Sequence, residues 1–117
     1  MEGLEHYEKE ARPWGSFERF TLNEPSTVKI ITVNVGQEFS LQQHAHRDEV
    51  WRIISGTGTV TVGDAATQAK AGDTFAVKRG QRHRVKGGPD GIVFLEIAFG
   101  QFDENDITRF ADDYGRA

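Results

Sequence analysis

Between Ser16 and Phe99 the chain never sustains a helical period. Short runs rich in valine, isoleucine, threonine and phenylalanine alternate with glycine, aspartate or asparagine turns. That punctuation leaves little room for helices and demands strands joined by tight reversals. Strands are expected near Ser16–Leu22, Val28–Val35, Glu38–Gln43, Val50–Ser55, Gly58–Val62, Thr74–Val77, His83–Lys86 and Ile92–Phe99, separated by the turns SGTG, GDAA, KAGD, KRGQ and GGPDG. So many short strands in a small span form a sandwich or a closed barrel, because closure removes exposed edges. The expected fold is all-β, a double-sheeted jelly-roll barrel.

The ends read differently. A chain of 117 residues is one domain by length. Residues 1–15 read as a charged arm stiffened at Arg12–Pro13, residues 16–100 as the barrel, and residues 101–117 as a tail. In the tail, Asp103 or Asn105 is placed to cap a short C-terminal helix carrying Ile107, Phe110 and Tyr114 at helical spacing, closed by Gly115.

Charge and composition narrow the function classes. A net charge of −4 argues against nucleic acid or an anionic membrane as the main partner, since both reward a basic face. With no cysteine there is no disulfide framework and no thiolate metal site, so any metal ligand must be nitrogen or oxygen. No apolar run approaches the roughly 20 residues of a membrane span, and the acidic start MEGLEHYEKE is unlike a signal peptide. A soluble protein of the cytoplasm, with no membrane and no nucleic-acid partner, is expected.

One stretch concentrates chemistry. In QQHAHRDEVW, an extended backbone places Gln42, His44 and His46 on one face and Leu41, Gln43 and Ala45 on the other. A bend at Arg47–Asp48 would return Glu49 to the same cavity, on a common face with Trp51 and Ile53. His83 follows in RHRV. Two or three imidazoles with a carboxylate and an amide oxygen suit zinc, iron, nickel, cobalt or manganese. The alternative is a surface strand with solvated His44 and His46 and with Glu49 paired to Arg47 or Arg52. The basic run KRGQRHRVK has Arg82, Arg84 and Lys86 pointing outward if His83 points in, which leaves Lys78 and Arg79 on the turn as the better anion ligands.

The segments GQEFSLQQHAHRDEVWRIISG and GDTFAVKRGQRH resemble the two motifs of the cupin superfamily. The spacing of Glu49 and Gly56 fits the first motif, and counting back from Glu49 places Gln42 and His44 on its ligand positions. Lys78 and Gly87 depart from the proline and asparagine of the second. RPWGSF, the long segment from Val28 to Asp64, and DITRFADDYGR resemble more closely the isomerase domain of type II mannose-6-phosphate isomerases, found at the C-terminus of bifunctional mannose-1-phosphate guanylyltransferase/mannose-6-phosphate isomerases. The resemblance implies an aldose–ketose isomerase acting on a phosphorylated hexose through one divalent metal, zinc first and iron, nickel, cobalt or manganese as alternatives. It implies Gln42, His44, Glu49 and His83 as the metal set. His46 is then the candidate proton shuttle, counted with Glu49 as catalytic, because an imidazole titrates near neutrality. Arg12, Lys29, Lys78 and Arg79 are candidate phosphate ligands, and Trp51 a residue for the sugar ring. A homodimer is expected. The rival readings are another metal-dependent cupin enzyme, such as an oxygenase, and a non-catalytic sugar-binding cupin.

Overall fold

The computed structural model describes residues 1–115. They form nine strands: β1 (Glu8–Arg12), β2 (Gly15–Arg19), β3 (Thr27–Val33), β4 (Leu41–Gln43), β5 (Arg47–Val62), β6 (Ala65–Lys70), β7 (Thr74–Val77), β8 (His83–Gly100) and β9 (Thr108–Ala111). Among the described residues no helix is long and apolar enough to cross a membrane.

Two strands organise the rest. β5 and β8 pair antiparallel from Arg47 opposite Gly100 to Val62 opposite His83, with register shifts between Ile53 and Ser55 and between Gly56 and Gly58. Both strands bend at that level. Gly56 there has φ +76°, and a Cβ on it would lie 2.1 Å from the carbonyl oxygen of Gly91, so the crossing admits only glycine. SGTG and GGPDG, expected to end strands, are therefore bulges inside continuous ones. Val50–Ser55 with Gly58–Val62, and His83–Lys86 with Ile92–Phe99, are halves of β5 and β8. A bulge and a turn draw on the same small residues, so composition alone does not separate them.

The bends fold the seven-stranded sheet back on itself. The first half of β5 lies between β7 and the second half of β8, with β3 beyond; the second half of β5 lies between β6 and the first half of β8, followed by β4 and β9. This is the all-β double-stranded β-helix that the strand pattern called for. It is not hydrogen-bonded shut: β3, β6, β7 and β9 each pair on one side only among the described residues. Between the two halves lie Trp51, Ile53, Val60, Val85, Ile92 and Phe94, all fully buried, each contributing roughly 1.5–3 kcal/mol by leaving water.

The C-terminal helix does not form. β9 runs instead through Thr108–Ala111 and pairs with β4, Gln43 opposite Thr108 and Leu41 opposite Ala111. The open edge of β4 offers backbone partners that an isolated short helix lacks, and tertiary pairing overrides local propensity. The last two residues of the expected tail, 116 and 117, lie outside the described residues. β6 went unforeseen because AATQAK buries only Ala69.

The N-terminal arm is also structured. β1 and β2 form a hairpin that is a sheet of its own. It is tied to the barrel by Glu18, whose carboxylate takes two hydrogen bonds from the Arg52 guanidinium at 2.8 and 2.9 Å and a third from the Tyr7 hydroxyl. Arg52 is fixed in turn by Thr74 Oγ1 at 2.8 Å and by the face of Phe20. Arg52, and then Tyr7, hold the Glu18 carboxyl down to about 2. A carboxyl depressed in the folded state adds stability above its ordinary value of 4.5, and that stability is lost as pH falls toward about 2. Glu18→Gln is therefore expected to cost about 1 kcal/mol at neutral pH, a figure discounted for partial exposure. Equilibrium urea unfolding from pH 7 downward should show the deficit narrowing below pH 4.5; a deficit constant with pH would refute the clamp.

Candidate metal centre

His44, Glu49 and His83 are all buried and offer ligand atoms that lie within 4.8 Å of one another. They come from three places in the chain. His44 follows the last residue of β4, Glu49 sits at the start of β5, and His83 opens β8, which pairs with β4 through Gln42. Each histidine has its outer ring nitrogen at a backbone carbonyl: His44 Nδ1 lies 2.6 Å from Asp106 O and His83 Nδ1 3.0 Å from Gln81 O. A carbonyl oxygen only accepts, so both protons are on Nδ1. The two Nε2 atoms then carry lone pairs and face each other at 3.2 Å.

Two lone pairs at that distance repel unless a proton or a metal ion lies between them. Burial holds both imidazoles below their ordinary pKa, which disfavours a shared proton at neutral pH. Two neutral imidazoles and a carboxylate, with a backbone carbonyl holding each Nδ1, are instead a nitrogen/oxygen set that could hold a metal ion. The donor set thus fits a metal ion. Glu49 is held from below by the Trp51 indole N–H at 3.1 Å. Burial pushes its carboxyl up, but the charges around it, Arg47 among them, and a hydrogen bond from Glu96 outweigh burial and hold it below the usual range.

The profile of the family described as mannose-6-phosphate isomerase C-terminal matches residues 2–112. The chain belongs to that family. It is 38% identical, over 94% of its length, to the xanthan biosynthesis protein XanB of Xanthomonas campestris pv. campestris, of which it covers 24%. It is 35% identical, over 90% of its length, to a mannose-1-phosphate guanylyltransferase of Salmonella montevideo, of which it covers 23%. The chain thus spans about a quarter of the length of the curated relatives it matches. Among solved structures it is similar to a conserved protein with a double-stranded β-helix domain from Klebsiella pneumoniae, with TM-score 0.64, 27% identity and 78% of each chain covered. Membership of the mannose-6-phosphate isomerase C-terminal family and the cupin architecture therefore agree.

The structure gathers some of the family-implied residues and disperses others. Gln42 adjoins the cluster, its amide nitrogen 3.4 Å from His44 Nε2 and its oxygen accepting from the Ser40 hydroxyl at 2.7 Å. To ligate through oxygen the amide must turn over, and Ser40, which also accepts, can serve the nitrogen that replaces it. Lys29 reaches the same cavity of about 200 Å³, as do Trp51 and Glu96. Trp51 is only 1% exposed, so it forms the floor of the site and is not a surface on which a sugar can stack.

His46 leaves the row. β4 ends at Gln43, and the Asp106 carboxylate accepts the backbone N–H groups of Ala45 and His46 at 2.8 and 2.9 Å, capping a bend that lies ahead of the expected one. His46 is exposed and lines a separate surface cleft with Gln101, Asp103, Asn105 and Asp106. Arg12 is exposed on the hairpin beside Glu10 and Phe17. Lys78 and Arg79 are exposed too, and Arg79 pairs with Asp48 outside the cavity.

The same bend turns Arg47 inward, so the Glu49–Arg47 pair of the surface-strand alternative forms, but in the interior. Its Nε donates to Glu49 Oε2 at 2.8 Å, and a terminal nitrogen lies 3.0 Å from His44 Nε2. Glu96 was missed because LEIAFG reads as an apolar strand. It is buried, hydrogen-bonded to Glu49, and pushed up to about 8 by burial and by the Glu49 charge. A single acid inside an otherwise apolar strand was the available signal. Arg109, on β9, also lines the cavity. Replacing His83 by Ala, or Glu49 by Gln, is expected to abolish stoichiometric metal while the circular dichroism stays β-rich. Glu49→Gln should also cost about 3 kcal/mol, since Arg47 is left buried without its anion; elemental analysis and thermal melts of the two variants check both points.

Proposed function

We propose that the chain is a metal-dependent aldose–ketose isomerase interconverting mannose 6-phosphate and fructose 6-phosphate. The reading is carried by one observation: two proton-free imidazole nitrogens and a carboxylate converge on one point at the wall of a cavity that also presents Lys29, Arg47 and Arg109. His44, Glu49 and His83 would hold one divalent ion, zinc first, with Gln42 as a fourth ligand. Such an ion would supply Lewis-acid polarisation of the sugar oxygens at C1 and C2.

The chain's own residues take the remaining tasks. Glu96 borders the cavity with its carboxyl pushed up to about 8 by burial and by the Glu49 charge, so its ionised form is a strong base that would take the C2 proton and return it at C1. This role passes to it from His46, which stands outside the cavity. Lys29, paired to the exposed Glu104 at 2.9 Å, can exchange that surface partner for a phosphate, and Arg109 adds a second cation. Trp51 and Ser40 fix Glu49 and Gln42 without reaching the substrate. A homodimer in the cytoplasm, engaging neither nucleic acid nor membrane, belongs to the same reading, and sedimentation equilibrium reads the dimer.

The purified metal-loaded protein in deuterated water should exchange the C2 proton of mannose 6-phosphate while forming fructose 6-phosphate, with unphosphorylated mannose a far poorer substrate. Glu96→Gln should lower kcat by about 100-fold with metal content intact, and Lys29→Ala should raise KM more than it lowers kcat. Saturable sugar binding with neither exchange nor turnover would replace this reading with the binding module. Iron-dependent oxygen consumption would replace it with the oxygenase.

A further inference from the structure

Arg47 is 6% exposed, and its guanidinium spans the donor set from Glu49 Oε2, at 2.8 Å, to His44 Nε2, at 3.0 Å. These atoms belong to two of the three residues assigned above as metal ligands. An imidazole nitrogen has one lone pair, so His44 Nε2 cannot serve a guanidinium and a metal ion together. Nor can the competitor leave by losing its proton, because a guanidinium stays charged at every accessible pH. Arg47 has further partners on its outer side, where the Phe102 ring lies 4.4 Å from the guanidinium carbon and the Asp103 carbonyl 3.4 Å from a terminal nitrogen. These contacts survive if the bond to His44 is given up.

Resting on the reading of His44, Glu49 and His83 as ligands, we infer that Arg47 is the resident counter-cation of the metal-free centre, and that metal loading is a cation exchange in which the guanidinium surrenders His44 Nε2. Two consequences follow from the geometry. The metal-free fold depends on Arg47, since Glu49 would otherwise be a buried anion with no adjacent full positive charge. Metal affinity is also set below its limit by the contact that has to break. Lys29 does not duplicate this function: it sits against Phe102 at 4.5 Å, with its ammonium on Glu104.

Cobalt(II) titration followed by calorimetry and visible absorption, together with melts of metal-free and metal-loaded protein, tests the exchange in the wild type, Arg47→Leu and Arg47→Lys. Leucine supplies neither charge nor ligand atom. Arg47→Leu is expected to bind cobalt about tenfold more tightly, the equivalent of one charge-assisted hydrogen bond. Its metal-free melting temperature should fall by about 12 °C, because Glu49 is left buried without its cation. Arg47→Lys, whose single ammonium cannot span both acceptors, should lie between the two in affinity, and it carries the test if the leucine variant does not fold without metal. Unchanged or weaker binding in the folded variants would overturn the inference and make Arg47 a residue that merely orients Glu49. If the wild type binds no cobalt, the metal reading itself falls and this inference with it; a wild type that binds while neither variant binds more tightly removes the inference alone.

Discussion

Two imidazole nitrogens with opposed lone pairs, 3.2 Å apart in the interior of a β-barrel, set the terms for everything around them. Such a pair is tolerated only if both outer nitrogens are committed elsewhere and a cation is at hand. The chain meets the first condition with two backbone carbonyls, Asp106 O and Gln81 O, each supplied by a loop rather than a strand. It meets the second with Arg47 and, in the reading proposed above, with a metal ion. The barrel exists to bring the end of β4, the start of β5 and the start of β8 within reach of one another. The coincident bends of β5 and β8 at Gly56 and Gly91 make that possible, because they let one pair of strands serve both halves of the sheet.

The loop between β8 and β9 is as much a part of the centre as the strands. Asp106 uses its carbonyl for His44 and its carboxylate for the N–H groups of Ala45 and His46, so one residue both orients a candidate ligand and ends the strand beyond it. Phe102, a few residues earlier, has Lys29 and Arg47 over its ring at 4.5 and 4.4 Å. One aromatic ring thus contacts both the charge turned toward the candidate metal ligands and the charge available to an anion. The loop thereby couples the interior of the site to its mouth.

Charge in the cavity is distributed with similar economy. Glu49 and Glu96 share a hydrogen bond, and in the buried setting one carboxyl is held down while the other is pushed up. Two adjacent acids in a low-dielectric pocket cannot both ionise without cost, so their environments divide the roles between them. Glu49, touching Arg47 and Trp51, takes the anionic role. Glu96 keeps the proton.

The residue pattern determined the faces. Alternation placed Gln42 with His44, and Glu49 with Trp51 and Ile53, and the glycine spacing after Glu49 pointed to a cupin; all of this is local, because a strand shows its two sides in its own sequence. The tertiary structure decided which faces meet and where each strand stops. The cap by Asp106, far along the chain, expels His46 and admits Arg47. The open edge of β4 makes a strand of Thr108–Ala111, a segment with the spacing of a helix. Glu96 becomes a partner of Glu49 because β5 and β8 pair across the site, and Lys29 enters the cavity while Lys78 and Arg79 stay at the surface. In each case the deciding contact joins residues remote in sequence, and the hydrogen-bonding or charge requirement that selects it arises only once the barrel has buried the groups concerned.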